Sequence, residues 1–275
     1  MLRVFTDSGS SIKRDEADVL GVEVIPLKIL LGEEEFLDGV DLDVDYFYDK
    51  LINEKIFPKT SLPNLDDLKE KVDRYIQDGD EVLIITISSE ISGTNNAIKM
   101  LFKDYSSVRV FDSRMAVGGM RILVDEINKY RDKPIDFVIE KLNALVPRIK
   151  IMALPETLDY LFKGGRLSKA EYLIGSLLKI KPVVGFKHGK VCVLSKKIGL
   201  NNAIRHLAES LKDFDCDENY QIIASYTYNK SNIDKAVSLV DDKYKSLIKI
   251  YDNLDPAIAC HWGPNAFGFV FVAKK

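Results

Sequence analysis

Small hydroxyl side chains recur in the first half of this chain wherever an apolar run has just ended. Thr6, Ser8, Ser10 and Ser11 follow Leu2–Phe5; Ser88, Ser89, Ser92 and Thr94 follow Val82–Ile87; Ser113 follows Val108–Phe111. Thr60 and Ser61 stand in a proline-bounded stretch, PKTSLPN. A hydroxyl both donates and accepts, and a helix N-terminus adds unpaired N–H groups and a positive dipole end, so together they can hold an anion. The stretch 82–100, VLIITISSEISGTNNAIKM, has that form. Its apolar run reads as a strand buried on both faces, and apolar Ala97, Ile98, Leu101 and Phe102 resume at helical spacing after a polar turn. We read the turn as a seat for the acidic head of a small molecule. Ser and Thr also cap helices for stability alone, at typically ~1 kcal/mol, and only their recurrence after strand upon strand favours a site.

Two further residues stand out. His261 precedes Trp262-Gly263-Pro264, where glycine and proline set an unusual backbone, and reads either as structural or as a ligand. Arg166, in KGGRLS, is either a domain-interface ion-pair partner or a fixed positive charge near a site. The chain has no GxSxG elbow, GxGxxG, Walker loop or HExxH, which counts against hydrolase, dinucleotide, nucleotide and zinc-protease chemistry. Cys192, Cys216 and Cys260 are far apart and odd in number, and fit neither a disulfide framework nor a metal site.

The elements that must position these residues follow from pattern and length. At 275 residues two domains are expected, and 46% hydrophobic with 29% charged residues is ordinary globular composition. A net charge of −3 leaves no basic surplus for nucleic acid. No apolar signal core and no long uncharged apolar run occur, so we expect a cytoplasmic location without stable membrane insertion. Strands at Leu2–Phe5, Val22–Leu31 (Pro26 marking an edge or bulge), Val82–Ile87 and Val108–Phe111 alternate with helices at Asp41–Asn53, Asp66–Gln77, Met115–Tyr130 and Ile135–Val146, with Pro58–Asn64 a loop. This predicts an α/β chain whose residues 1–147 form a doubly wound, mostly parallel, Rossmann-like sheet domain. Residues 148–275 read as a mixed α+β domain: strands at Ile149–Leu154, Ile180–Phe186, Lys190–Leu194, Tyr220–Tyr228 and Ser246–Ile250, a hairpin turn at His188–Gly189, helices at Pro155–Phe162, Ala170–Leu178, Leu200–Leu211 and Asn232–Lys243, and a final turn and strand from His261 on. The ligand is expected between the two domains, and the hydroxyl clusters at the carboxyl ends of strands in one sheet.

The ordered set TDSGSS, PKTSLPN, ISSEISGT, VFDSRMAVGG, LDYLFKGGRLS, LLKIKPVVGFKHGKV and HWGPNAFG resembles the DegV family of bacterial fatty-acid-binding proteins over nearly the full chain. The resemblance implies two α/β domains with a long-chain fatty acid between them and no further cofactor. It also implies that some members present the carboxylate to a separate fatty acid kinase protein. Matched to the family's motifs, Thr60, Ser92 and His261 would hold the carboxylate, with Gly93 beside them and Ser89, Thr94 and Arg166 supporting. Charge-assisted hydrogen bonds of this kind contribute ~1.5–3 kcal/mol each, and the tail ~0.8 kcal/mol per buried CH₂. The chain departs from the family in TSLPN for TSQPS, in Trp262 and in Asn265 for glycine, and in Ile198 where kinase-coupled members tend to carry an arginine. The expected function is thus a non-enzymatic lipid carrier. The alternatives are a serine-dependent acyl hydrolase using Ser92 and His261, and a partner-binding module in which the lipid is only filler.

Overall fold

The computed structural model describes residues 1–175, 179–251 and 253–274. The chain divides into two compact units, Met1–Val146 with Asp255–Ala257, and Pro147–Leu254 with Ile258–Lys275.

Unit 1 runs β1 (Leu2–Asp7), α1 (Arg14–Leu20), β2 (Val22–Ile25), β3 (Lys28–Leu31), β4 (Glu34–Leu37), α2 (Val44–Ile52), β5 (Lys59–Ser61), α3 (Leu65–Gln77), β6 (Glu81–Thr86), α4 (Thr94–Leu101), β7 (Val108–Asp112), α5 (Gly118–Asn128) and α6 (Ile135–Leu145). Its main sheet is parallel, in the order β2-β1-β6-β7. Val82–Thr86 are all fully buried, as a central strand covered on both faces requires. Phe5, Val82 and Ile84 pack on Leu68 and Val72 of α3 and on Ile98 of α4. From β1 the chain winds outward to β2, and from β6 outward to β7. The winding direction therefore reverses between β1 and β6, the switch point where open parallel sheets bind ligands.

The expected strand Val22–Leu31 is two strands. Pro26, lacking an N–H, ends β2 at the edge of the parallel sheet, and β3 joins a separate antiparallel sheet of order β4-β3-β5. The stretch Pro58–Asn64, expected as a loop, contains β5, in which Thr60 pairs with Ile29. Thr60 and Ser61 therefore belong to the small antiparallel sheet, not to the end of a parallel strand. Local proline signals could not reveal β5, because it exists only through its partner β3.

Unit 2 runs β8 (Ile149–Leu154), α7 (Asp159–Lys163), α8 (Lys169–Gly175), β9 (Ile180–Lys187), β10 (Lys190–Ile198), α9 (Leu200–Asp213), β11 (Ile222–Tyr226), α10 (Ser231–Ser238), α11 (Asp242–Lys245), β12 (Ile248–Tyr251), α12 (Pro256–Trp262) and β13 (Phe267–Val272). These strands form one mixed sheet, β10-β9-β8-β13-β11-β12, antiparallel except for the β11–β12 pair. Met152, Val183, Ala224 and Phe269 of the sheet enclose a core with Ile204, Leu207 and Leu211 of α9. The hairpin turn is where the sequence places it, with His188 at φ 53 and Gly189 at φ 83. The expected helix Asn232–Lys243 is interrupted, Asp241 capping a new short helix through the Lys243 N–H. Of the apolar positions expected on α8, Leu173 is exposed, while Leu177 and Leu178 lie outside the described residues. No helix among the described residues is long and apolar enough to cross a membrane.

Candidate functional site

The turn after β6 is built by its own hydroxyls. Ser88 Oγ accepts the Glu90 N–H at 3.3 Å, and the Ser88 carbonyl accepts the Ile91 and Ser92 N–H groups. Ser89 donates its hydroxyl to Asp112 Oδ2 at 2.5 Å, and its N–H to Asp112 Oδ1 at 3.1 Å. Asp112 also accepts the Arg114 N–H at 3.0 Å, so one carboxylate at the end of β7 pins two loops. Ser92 Oγ lies 2.9 Å from Thr94 Oγ1 and accepts the Thr94 N–H at 3.3 Å. Thr94 is fully buried, whereas Ser92 is half-buried and Gly93 exposed. Of this group, only Ser92 and Gly93 leave the turn open to an incoming molecule. Ser89 and Thr94 hold its shape, Asp112 having taken the first hydroxyl inward.

Thr60, half-buried on β5, is brought to the same part of unit 1. Leu62, two residues on, places its Cδ2 3.7 Å from where a Cβ on Gly93 would stand. The proline-bounded stretch and the SGT turn are thus neighbours, although 30 residues of chain and all of α3 separate them in sequence.

Most polar side chains after β1 are engaged internally, Ser11 Oγ being a buried exception with no hydrogen-bond partner among the described residues. Asp7 accepts the Gly9 N–H at 3.0 Å and, across the switch point, the Ile87 N–H at 2.7 Å. Ser8 Oγ accepts the Leu27 N–H at 3.1 Å, and Ser10 Oγ the Ile12 N–H at 3.4 Å. Asp7, Ser8 and Ser10 are buried. Burial pushes the Asp7 carboxyl up to about 7, against the two N–H groups that favour its charge. Ser113 likewise turns on itself, its Oγ accepting the Met115 N–H at 3.0 Å. The gathering of hydroxyls at one rim, expected from strand order, reduces to Ser92 and the neighbouring Thr60.

In unit 2, His261 lies in the last turn of α12, a helix the sequence reading took for part of a glycine-proline turn. The ring rests on the GGR motif: a Cβ on Gly164 would stand 2.6 Å from His261 Nδ1 and 2.8 Å from the Tyr160 carbonyl. Gly263, at φ +72, meets the Tyr160 ring, where a Cβ would come within 2.3 Å. The two glycine motifs are therefore one interlocked object, each glycine making room for the other segment's side chain. Burial, and then the positive charge of Arg166, push the His261 imidazole down to about 3, so at neutral pH it is uncharged and presents one N–H donor. Arg166 donates to the Gly164 carbonyl and is itself lowered by burial. Asn265, in the family's glycine place, sits at φ 60, a left-handed conformation that asparagine tolerates better than other side chains. Its amide donates to Glu156 Oε2 at 2.7 Å.

Sequence reasoning missed three residues. Thr227 ties down the loop after α12, donating to the Gly263 carbonyl at 2.7 Å and accepting the Ala266 N–H at 2.8 Å. No local pattern marks it. Asp112 was legible only as an acid directly following a strand, and Tyr160 only as an aromatic four residues before the glycine pair. No group of His, Cys, Asp or Glu able to hold a metal occurs among the described residues.

Comparison with known proteins agrees with this architecture. The model of the family described as "Uncharacterised protein, DegV family" matches residues 1–274. A DegV domain-containing protein of Clostridium acetobutylicum is 30% identical over 284 residues, covering 99% of each chain. The crystal structure of a fatty acid binding DegV family protein from Streptococcus agalactiae matches with a TM-score of 0.90 at 26% identity, over 100% of this chain and 99% of that one. DegV of Bacillus subtilis, described as a fatty acid binding protein, matches at 0.84 and 25% identity over 99% of both. The chain belongs to the DegV family.

Proposed function

We propose that this protein binds a long-chain fatty acid, with its carboxylate held by Thr60, Ser92 and His261 beside Gly93, and its tail buried. The observation that carries the reading is the open Ser92–Gly93 turn at the start of α4, with the Thr60 strand brought beside it. A hydroxyl, a neutral ring N–H and a helix start are all donors, and a carboxylate accepts from several at once. Solved relatives described as fatty acid binding, from Streptococcus agalactiae and Bacillus subtilis, support the same class of ligand. Arg166 supplies a fixed positive charge next to the imidazole.

The chain would serve as a carrier that presents the carboxylate to a partner fatty acid kinase. Ile198, at the end of β10 and 72% exposed, would then be part of the surface offered where kinase-coupled relatives tend to carry arginine. Mass spectrometry of gently purified protein should find a copurifying long-chain acid. Protein that stays empty after incubation with palmitate refutes the reading, and ester turnover abolished by Ser92→Ala replaces it with a serine hydrolase.

A further inference from the structure

The N–H of Ala257 lies in the first turn of α12. It donates at 3.1 Å to Oδ1 of Asp38, 219 residues away in sequence. Asp38 is buried just past the end of β4, its own N–H donating to the Leu27 carbonyl at 2.9 Å. The Ser8 side chain lies beside the same carboxyl and favours its charge. Its second oxygen, Oδ2, is buried with no hydrogen-bond partner among the described residues. A bare buried carboxylate oxygen is costly, and a proton removes the cost. Asp255 stands close enough to repel Asp38, and is itself half-buried. The other charged groups facing the pair are Asp7, on the Asp38 side, and Lys13 and Glu16, on the Asp255 side, with Glu16 paired to Arg121 at 2.9 Å.

We infer that Asp38 is a positioning residue for His261: its protonated carboxyl holds the first turn of the helix that ends in the imidazole, and release of that proton to solvent loosens the helix. The inference rests on the reading of His261 as a carboxylate partner. When Asp38 ionises, the Ala257 N–H favours the new charge, but burial of the bare Oδ2 and the neighbouring Asp255 oppose it and draw the carboxylate toward solvent, away from a first turn that stands four residues before His261. Burial and Asp255 raise Asp38 to about 8, and burial raises Asp255 to about 6, so the change falls above neutrality. His261, held down to about 3, does not titrate in that range.

Trp262, the single tryptophan, is buried beside His261 and reports on the helix without any ligand. Its emission in the full-length protein should titrate between about pH 7 and pH 9, and Asp38→Asn, which keeps an acceptor for Ala257 but carries no charge, should flatten the curve. Asp255→Asn should move the midpoint downward by removing the repulsion. Palmitate affinity should fall about fivefold over the same range in the natural protein, the lower end of site-to-site couplings, and stay level in Asp38→Asn. A flat emission curve, or one unchanged in Asp38→Asn, overturns the inference. So does palmitate affinity that stays level while the emission titrates. If palmitate fails to bind at any pH, the carrier reading falls, and the emission curves still decide whether Asp38 governs the helix.

Discussion

The turns after β1 and after β6 flank the same switch point and are about equally rich in serine, yet they do opposite things. In the first, Asp7, Ser8 and Ser10 face inward and satisfy backbone N–H groups of Gly9, Ile87, Leu27 and Ile12. In the second, Ser88 and Ser89 are consumed in the same way, but Ser92 and Gly93 remain at the surface. The number of hydroxyls is therefore a poor guide to a site. What separates the turns is exposure: Ser8 and Ser10 are buried on the N–H groups they satisfy, and a buried donor left bare costs about 1–3 kcal/mol, whereas Ser92, although its Oγ accepts the Thr94 N–H at 3.3 Å, stays half-buried beside exposed Gly93.

The glycines offer the sharpest test of that contrast. A Cβ on Gly9 would stand 2.8 Å from Asp7 Oδ1 and 2.9 Å from Ile87 Cδ1, so Gly9→Ala should lower unfolding free energy by up to about 3 kcal/mol in denaturant titration. Next in size, Ser92→Ala should weaken palmitate binding by about 1.5–3 kcal/mol by calorimetry, while leaving stability within about 0.5 kcal/mol. Ser8→Ala should show the reverse, a stability loss of about 1–2 kcal/mol from the stranded Leu27 N–H with palmitate affinity unchanged. A Ser8 variant that loses affinity, or a Ser92 variant that loses only stability, would erase the distinction between the turns.

The first turn should also give the fold its pH dependence. Asp7 is raised to about 7, so the native state holds a proton that the unfolded chain has already released. Its stabilisation is complete below the unfolded value near 3.8 and is lost as pH climbs through about 7, with Asp38, at about 8, adding in the same direction. His261 acts oppositely: with a folded value of about 3 against 6.5, its contribution is present above 6.5 and lost as pH falls. The clean window lies above the histidine range, and the denaturant midpoint should drop between about pH 6.5 and pH 8.5. The smallest effect is expected at Gly93→Ala, where a new Cβ would meet, among the described residues, Leu62 Cδ2 at 3.7 Å; stability should change by less than about 0.5 kcal/mol.

The parallel sheet was legible because β1, β6 and β7 are apolar runs that need only their own residues to be recognised. The segments that differ from expectation depend on distant partners. β5 is a strand because Ile29 lies opposite Thr60, and α12 begins where Asp38 accepts its Ala257 N–H. Within the candidate site, Ser92 and His261 stood out by motif, but the fate of Ser89 did not, since its partner Asp112 is 23 residues away on another strand. Proline and glycine statistics likewise read HWGPN as a turn, although its His261 and Trp262 are the last two residues of a helix.

The return of Asp255–Ala257 to the first unit makes this chain hard to dissect. A fragment cut at the apparent boundary after Val146 would lack three residues that belong to its own unit, and Asp38 would lose the amide it accepts. The backbone passes between the two units three times, after Val146, Leu254 and Ala257, and only a rearranged gene restoring that short tail could yield an intact first half.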